Sequence, residues 1–199
     1  MNTVDVLLPG HLERNSVDGS LDNTYSTVTL IRTADGRRIV IDTSSPWMYP
    51  ELIASFRQFR DIYPNDVDTV VLTHNHPDHT GNTEMFPNAK VLIHEGETAF
   101  PGAEIVYHDT EIAPGVLLVH TPGHTRGSMS VFVQADRRIA IAGDAVPLSD
   151  NLLKEVPPRD CADPEAALAS IRAIAAWADV VIPGHGVPFP LPGRRLRLH

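Results

Sequence analysis

The sequence predicts an α/β fold in which two β-layers are enclosed by outer helices, and three observations carry that prediction. Short runs rich in Val, Ile and Leu recur along the 199 residues, several alternate apolar with polar positions, and Gly or Pro punctuates their ends. The longer helical periodicities fall one in each half of the chain, so each set of strands has a helix to cover it. Four of the apolar runs lead into a His or Asp, as strands delivering side chains to a shared cluster would. An apolar share of 42% and a charged share of 21% suit one globular domain, residues 1–199, with a sizeable core.

In chain order, Val4 to Leu8 reads as a short strand stopped by Pro9-Gly10. His11 to Thr24 mixes Asn, Ser, Asp and Gly and reads as an exposed loop. Tyr25 to Arg32 sets Val28 and Leu30 against Thr27 and Thr29, the pattern of a half-buried strand. Asp35-Gly36 turns the chain into a second strand, Arg38 to Ile41, which ends on Asp42. Leu52, Ile53, Phe56 and Phe59 recur at helical spacing between Pro50 and Ile62, so an amphipathic helix packs on the sheet there. Thr69 to Leu72 is a buried strand, and Thr80-Gly81-Asn82 opens a short helix towards Met85 and Phe86. Further strands follow over Ala89 to His94, Glu104 to His108, Val116 to His120, Ser128 to Val133, Arg138 to Ala142 and Val180 to Ile182. Ala145 to Asp160 has neither a helical nor a strand period and reads as a rim or lid. Asp163-Pro164-Glu165 supplies an N-cap, a proline at the first helical position and an early acid. The helix that follows places Leu168, Ile171, Ile174, Ala175 and Ala178 on one apolar face.

The densest chemistry is Thr73-His74-Asn75-His76-Pro77-Asp78-His79, on the turn leaving the Thr69 to Leu72 run. Alternate residues of an extended segment point the same way, so His74 and His76 can share one metal ion. Asp78 and His79 follow a proline that redirects the chain, and can face a second ion about 3.5 Å from the first. Imidazole with carboxylate suits zinc, with iron or manganese as alternatives. Three more strand ends add one ligand-type side chain each: His124 after Pro122-Gly123, Asp144 after Gly143, and His185 after Pro183-Gly184. Glycine beside each permits a tight turn and a close approach to an ion. A lone Gly-His pair is more often a loop histidine exposed to water, but four strand ends supplying ligand types read as one metal cluster. Asp42, followed by Thr43-Ser44-Ser45, is either a cap for the next helix or support for a ligand histidine.

The formal net charge of −9 repels polyanions, which counts against nucleic acid as a partner and favours a small molecule. Cys161 is the only cysteine, so no disulfide forms within the chain and a reducing compartment is expected. Asp5, Glu13 and Arg14 interrupt any apolar leader, and no apolar stretch has the length of a membrane span. The expectation is a cytoplasmic protein without membrane contact.

The order His74-x-His76-x-Asp78-His79, then His124, Asp144 and His185, resembles the signature of the metallo-β-lactamase superfamily, over the span from Asp42 to His185. The resemblance implies a four-layer αββα sandwich with metals held at one edge between the two sheets. It implies that His74, His76 and His124 hold one ion, that Asp78, His79 and His185 hold the other, and that Asp144 and a hydroxide bridge them. Asp42 matches the family's aspartate that supports a ligand histidine. β-Lactamases proper usually have cysteine at the position of His79, and flavodiiron relatives have a carboxylate at that of His76. Nucleic-acid-processing relatives carry a long insertion and glyoxalase II relatives a C-terminal helical segment, whereas only 14 residues follow His185 here. Leu7-Leu8-Pro9-Gly10, Ile41-Asp42-Thr43 with Pro46-Trp47, and Thr121-Pro122-Gly123-His124 are similar to a small subgroup, the relatives of metallo-β-lactamase-domain-containing protein one. Its animal member is associated with RNA 3′-end processing.

What this implies is a dinuclear metal-dependent hydrolase. Two divalent ions, zinc by preference, lower the pKa of a bridging water, and the hydroxide attacks a small ester, thioester or lactone. Asp78 and Asp144 are the expected catalytic carboxylates, with Asp144 also carrying a proton to the leaving group. An RNA phosphodiester is the alternative substrate and a non-catalytic metal module the alternative role. Seven ligand candidates over two ions leave positions open for water, which favours catalysis. Around the cluster, Trp47 and Met48 either wall the cleft or pack against the following helix. Lys154 and Arg159 either bind a substrate anion or are solvated surface charges. The basic stretch Gly193 to His199 reads as a loose end.

Overall fold

The structure, a computed structural model, describes residues 1–58, 62–98 and 100–191. Strands β1 (Thr3–Leu8), β2 (His11–Arg14), β3 (Leu21–Tyr25), β4 (Val28–Arg32) and β5 (Arg38–Ile41) open the chain. Helix α1 (Tyr49–Phe56), β6 (Thr69–Val71), the single turn α2 (Pro77–Thr80), β7 (Lys90–His94) and β8 (Glu104–Val106) follow. The second half runs through β9 (Thr110–Ala113), β10 (Val116–His120), β11 (Met129–Gln134), β12 (Arg138–Ile141), α3 (Ser149–Leu153), α4 (Pro164–Trp177), β13 (Val180–Ile182) and β14 (Phe189–Pro190). Two six-stranded sheets result, ordered β1-β4-β5-β6-β7-β8 and β14-β13-β12-β11-β10-β9, and β2 pairs with β3 apart from both.

Successive side chains of a strand point to opposite faces, and this period sorts the apolar residues into layers. Ile39 and Ile41 of β5 face the space between the sheets, with Val71, Leu92, Leu118, Val131, Ile141 and Ile182. Val40 points the other way, with Val70 and Ile93, onto Leu52 and Phe56 of α1. Beyond the second sheet, Phe132, Ala140 and Val181 meet Leu152 of α3 and Ile171 and Ile174 of α4. The order is helix, sheet, sheet, helix, the four-layer αββα sandwich. The predicted cap of α4 is present: the Asp163 carboxylate accepts from the Glu165 and Ala166 N–H groups at 3.0 Å each. Such a cap contributes about 1 kcal/mol.

Strand direction explains why ligand-type residues gather. β5, β6 and β7 run parallel, so their C-terminal ends share one edge of the first sheet. In the second sheet β12 is parallel to β13, and β10, antiparallel to β11 as β11 is to β12, runs the same way. The motif residues follow the C-terminal ends of β6, β10, β12 and β13.

Several elements differ from their sequence reading. His11 to Thr24, read as a loop, holds most of the β2–β3 hairpin, whose only apolar residues, Leu12, Leu21 and Tyr25, are too few to show a hydrophobic alternation. β4 is not half-buried: Val28, Thr29, Leu30 and Ile31 are all buried, because central strands of a four-layer sandwich are covered twice. The short helix expected from Thr80 towards Phe86 is a 3-10 turn over Thr83–Met85, and a separate turn, α2, precedes it from Pro77, so Asp78 and His79 lie on a helical turn. Residues 145–160 contain α3, too short to show a period. β9 and β14 are edge strands that the sequence reading did not separate from loops. Phe59 and Gly193 to His199 lie outside the described residues. Among the described residues no helix is long and apolar enough to cross a membrane.

Candidate metal centre

Seven side chains predicted as ligands converge at the shared strand edge in three overlapping groups: His74, His76 and His124; His74, His79 and Asp144; and Asp78, His79 and His185. Within each group the ligand-type atoms lie within 4.8 Å of one another. His76 Nδ1 is 3.0 Å from His74 Nε2 and 3.1 Å from His124 Nε2. Asp144 Oδ1 lies 3.4 Å from His79 Nε2 and 3.2 Å from His185 Nε2, and its Oδ2 lies 3.3 Å from His185 Nε2 and 3.6 Å from His124 Nε2. Asp78 Oδ2 is 3.7 Å from His185 Nε2. Asp144 therefore stands between the two halves of the cluster.

Hydrogen bonds on the far side of each ring fix which nitrogen is free. His79 Nδ1 donates to Asp42 Oδ2 at 2.8 Å, His124 Nδ1 to the Asp160 carbonyl at 2.7 Å, and His185 Nδ1 to the Tyr25 carbonyl at 2.9 Å. The Thr73 hydroxyl donates to Asp42 Oδ2 at 2.8 Å, so it accepts from His74 Nδ1 at 3.1 Å. All four rings then turn an Nε2 lone pair inwards, each held from behind by a hydrogen bond, as metal-ligating histidines are. Lone pairs facing one another are unfavourable unless a cation or proton lies between them. His79 Nε2 and Asp144 Oδ1 are buried without a hydrogen-bond partner, an unsatisfied pair that a cation would complete. Tetrahedral zinc would set ligand nitrogens roughly 3.3 Å apart, close to the observed ring spacings. The donor set fits divalent metal.

Without a cation the same charges act on protons. Burial disfavours a charged His79, but the Asp42 and Asp144 carboxylates outweigh it and hold its pKa well above the usual imidazole value. His185 is likewise lowered by burial but raised overall by Asp144. Burial would raise the Asp144 pKa, yet the positive fields of His185 and His79 hold it well below the usual carboxylate value. Burial, followed by the His79 charge, drives the His74 pKa down against the opposing pull of Asp144.

Local backbone explains the glycines. Gly143 has φ +49°, and a Cβ there would fall 2.7 Å from Thr73 Cβ; a Cβ on Gly184 would collide with Asp144 Oδ1. Asp42 itself is left-handed at φ +57°, a conformation uncommon outside glycine but better tolerated by Asp, and it turns the carboxylate across to the Thr73 loop. Asp42 accepts the Thr73 N–H at 2.8 Å as well, and caps no helix. Thr73 is the participant that the sequence reading passed over, although it lies inside the motif; its hydroxyl joins Asp42 to His74.

Of the four pocket candidates, three are exposed and one is half-buried. Trp47 is 57% exposed, and Met48 packs into the core beneath α1. Lys154 pairs with Asp150 at 2.6 Å, both exposed. Arg159 is exposed and lies against Gly19 of the β2–β3 hairpin.

Comparison with known proteins identifies the family. Residues 21–104 match the family described as the metallo-beta-lactamase superfamily. The chain is 33% identical over 198 residues to metallo-beta-lactamase domain-containing protein 1 of Xenopus laevis, covering 94% of this chain and 81% of that one. It is 36% identical over 150 residues to a protein of Methanocaldococcus jannaschii named as a probable metallo-hydrolase, covering 74% and 70%. Its fold matches that of a Bacillus thuringiensis AiiA mutant with N-decanoyl-L-homoserine bound at the active site, with TM-score 0.73, 20% identity and 92% of each chain covered. The chain belongs to the metallo-beta-lactamase superfamily and is a metal-dependent hydrolase.

Proposed function

We propose that the chain is a dinuclear hydrolase, zinc-loaded by preference, acting on a small ester, thioester or lactone. The observation that carries the reading is Asp144, whose carboxylate lies 3.4 Å from His79 and 3.2 Å from His185 in one half of the donor cluster and 3.6 Å from His124 in the other. His74, His76 and His124 would hold one ion, and Asp78, His79 and His185 the other, with Asp144 between them. When bound, two such ions supply a water ionised near neutral pH and polarise the scissile oxygen. The cluster is open on one side: His74, His79 and His185 are buried, whereas His76 is exposed and Asp78 and His124 are half-buried. A closed structural site would bury all its donors and leave no position for substrate. Asp144, buried and between both halves, is placed to carry a proton to the leaving group, and Asp78 stands at the open side.

Substrate class follows from charge. Arg14, near the site, is paired with Asp160, whose carbonyl holds His124, and Lys154 is paired with Asp150. A polyanion needs several free cations, and this chain carries a net charge of −9. The structural neighbour's bound acyl homoserine supports a carboxylic ester or lactone in preference to RNA. A single cysteine supports a reducing, cytoplasmic setting. The test is turnover of a γ-lactone, an aryl ester, a thioester and single-stranded RNA by metal-loaded protein at low and moderate salt. Turnover of at least one of the first three, insensitive to salt, is expected. RNA cleavage alone, falling steeply with salt, would overturn the assignment.

A further inference from the structure

We propose that Glu97 is a positioning residue that sets the spacing of the two loops carrying His74, His76 and His124, and so tunes the affinity of that half of the metal centre; this rests on the metal-binding reading above. Glu97 is half-buried on the turn after β7. Its Oε2 accepts the N–H of Asn75, the residue between His74 and His76, at 3.0 Å. Its Oε1 accepts the Gly127 N–H at 3.1 Å and the Thr125 hydroxyl, both on the loop that carries His124. One carboxylate thus holds loops that leave different sheets, whose atoms His76 Nδ1 and His124 Nε2 lie 3.1 Å apart.

The surroundings remove slack from this clamp. Asn75 Nδ2 donates to the Thr98 carbonyl at 3.1 Å, a second tie from the His74–His76 loop to the Glu97 turn. Gly96 and Gly127 meet backbone to backbone, since a Cβ on Gly96 would fall 2.8 Å from Gly127 Cα. The His94 and His120 rings stack with centroids 4.1 Å apart, and His120 Nε2 meets the Arg126 carbonyl at 2.9 Å. The Glu97 turn is therefore packed directly on the His124 loop. Three donors converge on two oxygens, which suits an acceptor-only carboxylate. Glutamine has the same shape but would set an NH₂ against an N–H or O–H donor, releasing one loop without changing volume. Glu97 is not among the grouped donors, so its effect on a metal runs through the loops.

A residue that only joined the sheets would affect both halves of the cluster alike. Cobalt titrations, read by visible absorption against a competing chelator, separate the cases when done in His185→Ala protein, which isolates the His74–His76–His124 half, and in His124→Ala protein, which isolates the other. Glu97→Gln is expected to weaken cobalt about 10–100-fold in the first background, with altered absorption bands, and far less in the second. Equal losses in both, or no loss in the first, would overturn the proposal. Should Glu97→Gln fail to fold, Thr125→Val, which removes only one donor on the His124 loop, is judged by the same comparison. Wild-type protein that takes up no cobalt overturns the functional reading together with this proposal, whereas normal wild-type loading with unchanged Glu97→Gln affinity sinks the proposal alone.

Discussion

His79 donates its Nδ1–H to Asp42 Oδ2 across 2.8 Å, and both side chains are buried. The same carboxylate takes the Thr73 N–H and hydroxyl, so one group orients a ring in one half of the cluster and the backbone entering the other. Asp42→Asn is expected to retain metal but bind it about 10–100-fold more weakly, as loss of an outer partner usually does. Chelator competition measures this. Loss as complete as in His74→Ala would make Asp42 a direct donor, and no change would reduce it to a backbone brace.

Proton bookkeeping gives a second test. Working against burial, the Asp42 and Asp144 carboxylates raise the pKa of His79 in the metal-free protein, so a proton on the ring competes with an incoming cation. Metal affinity should rise with pH until the raised pKa is passed, and loading at pH 7 should release protons. Calorimetric titration in buffers of different ionisation enthalpy reads that release directly. Asp42→Asn removes the largest carboxylate effect raising the pKa and should reduce the number of protons released. Buffer-independent heats in the wild type would contradict the assignment of His79 as a donor.

The sequence showed the site more clearly than the scaffold. His74, His76, Asp78, His79, His124, Asp144 and His185 each follow an apolar strand, and parallel strand direction brings those ends to one edge whatever the loops do. The β2–β3 hairpin was not legible because its register rests on backbone pairing, with too few apolar residues to mark a buried face. β4 looked half-buried because Thr27 and Thr29 mimic a solvent face, yet both are buried. Glu97 gave no signal, since its role depends on Asn75 and Gly127, 22 and 30 residues away in sequence.

Glycine beside the donors carries a steric prediction. Gly184→Ala puts a methyl group where the Asp144 carboxylate lies, and should expel metal even if the fold survives. Gly143→Ala adds strain at φ +49° and crowds Thr73, and should cost roughly 1–3 kcal/mol of stability besides weakening metal. Thermal melts of metal-free and loaded protein separate the two effects. Wild-type metal content in Gly184→Ala would contradict the close approach of the Asp144 carboxylate to Gly184.

The inter-sheet core offers a control remote from chemistry. Leu118 is fully buried between the sheets, and Leu118→Ala should destabilise the chain by about 2–5 kcal/mol in urea. Metal stoichiometry should be unchanged under conditions where the variant is folded. A cost below about 1 kcal/mol would argue against the tight packing of the two sheets.

The central claim is that Asp144 joins two metal positions, and the most direct measurement is metal content per folded chain. Protein loaded with zinc and freed of excess should carry close to two ions. His185→Ala should lose mainly one, and Asp144→Ala should lower the affinity of both positions. A wild-type chain saturated by a single ion, with Asp144→Ala holding that ion as tightly, would contradict the account.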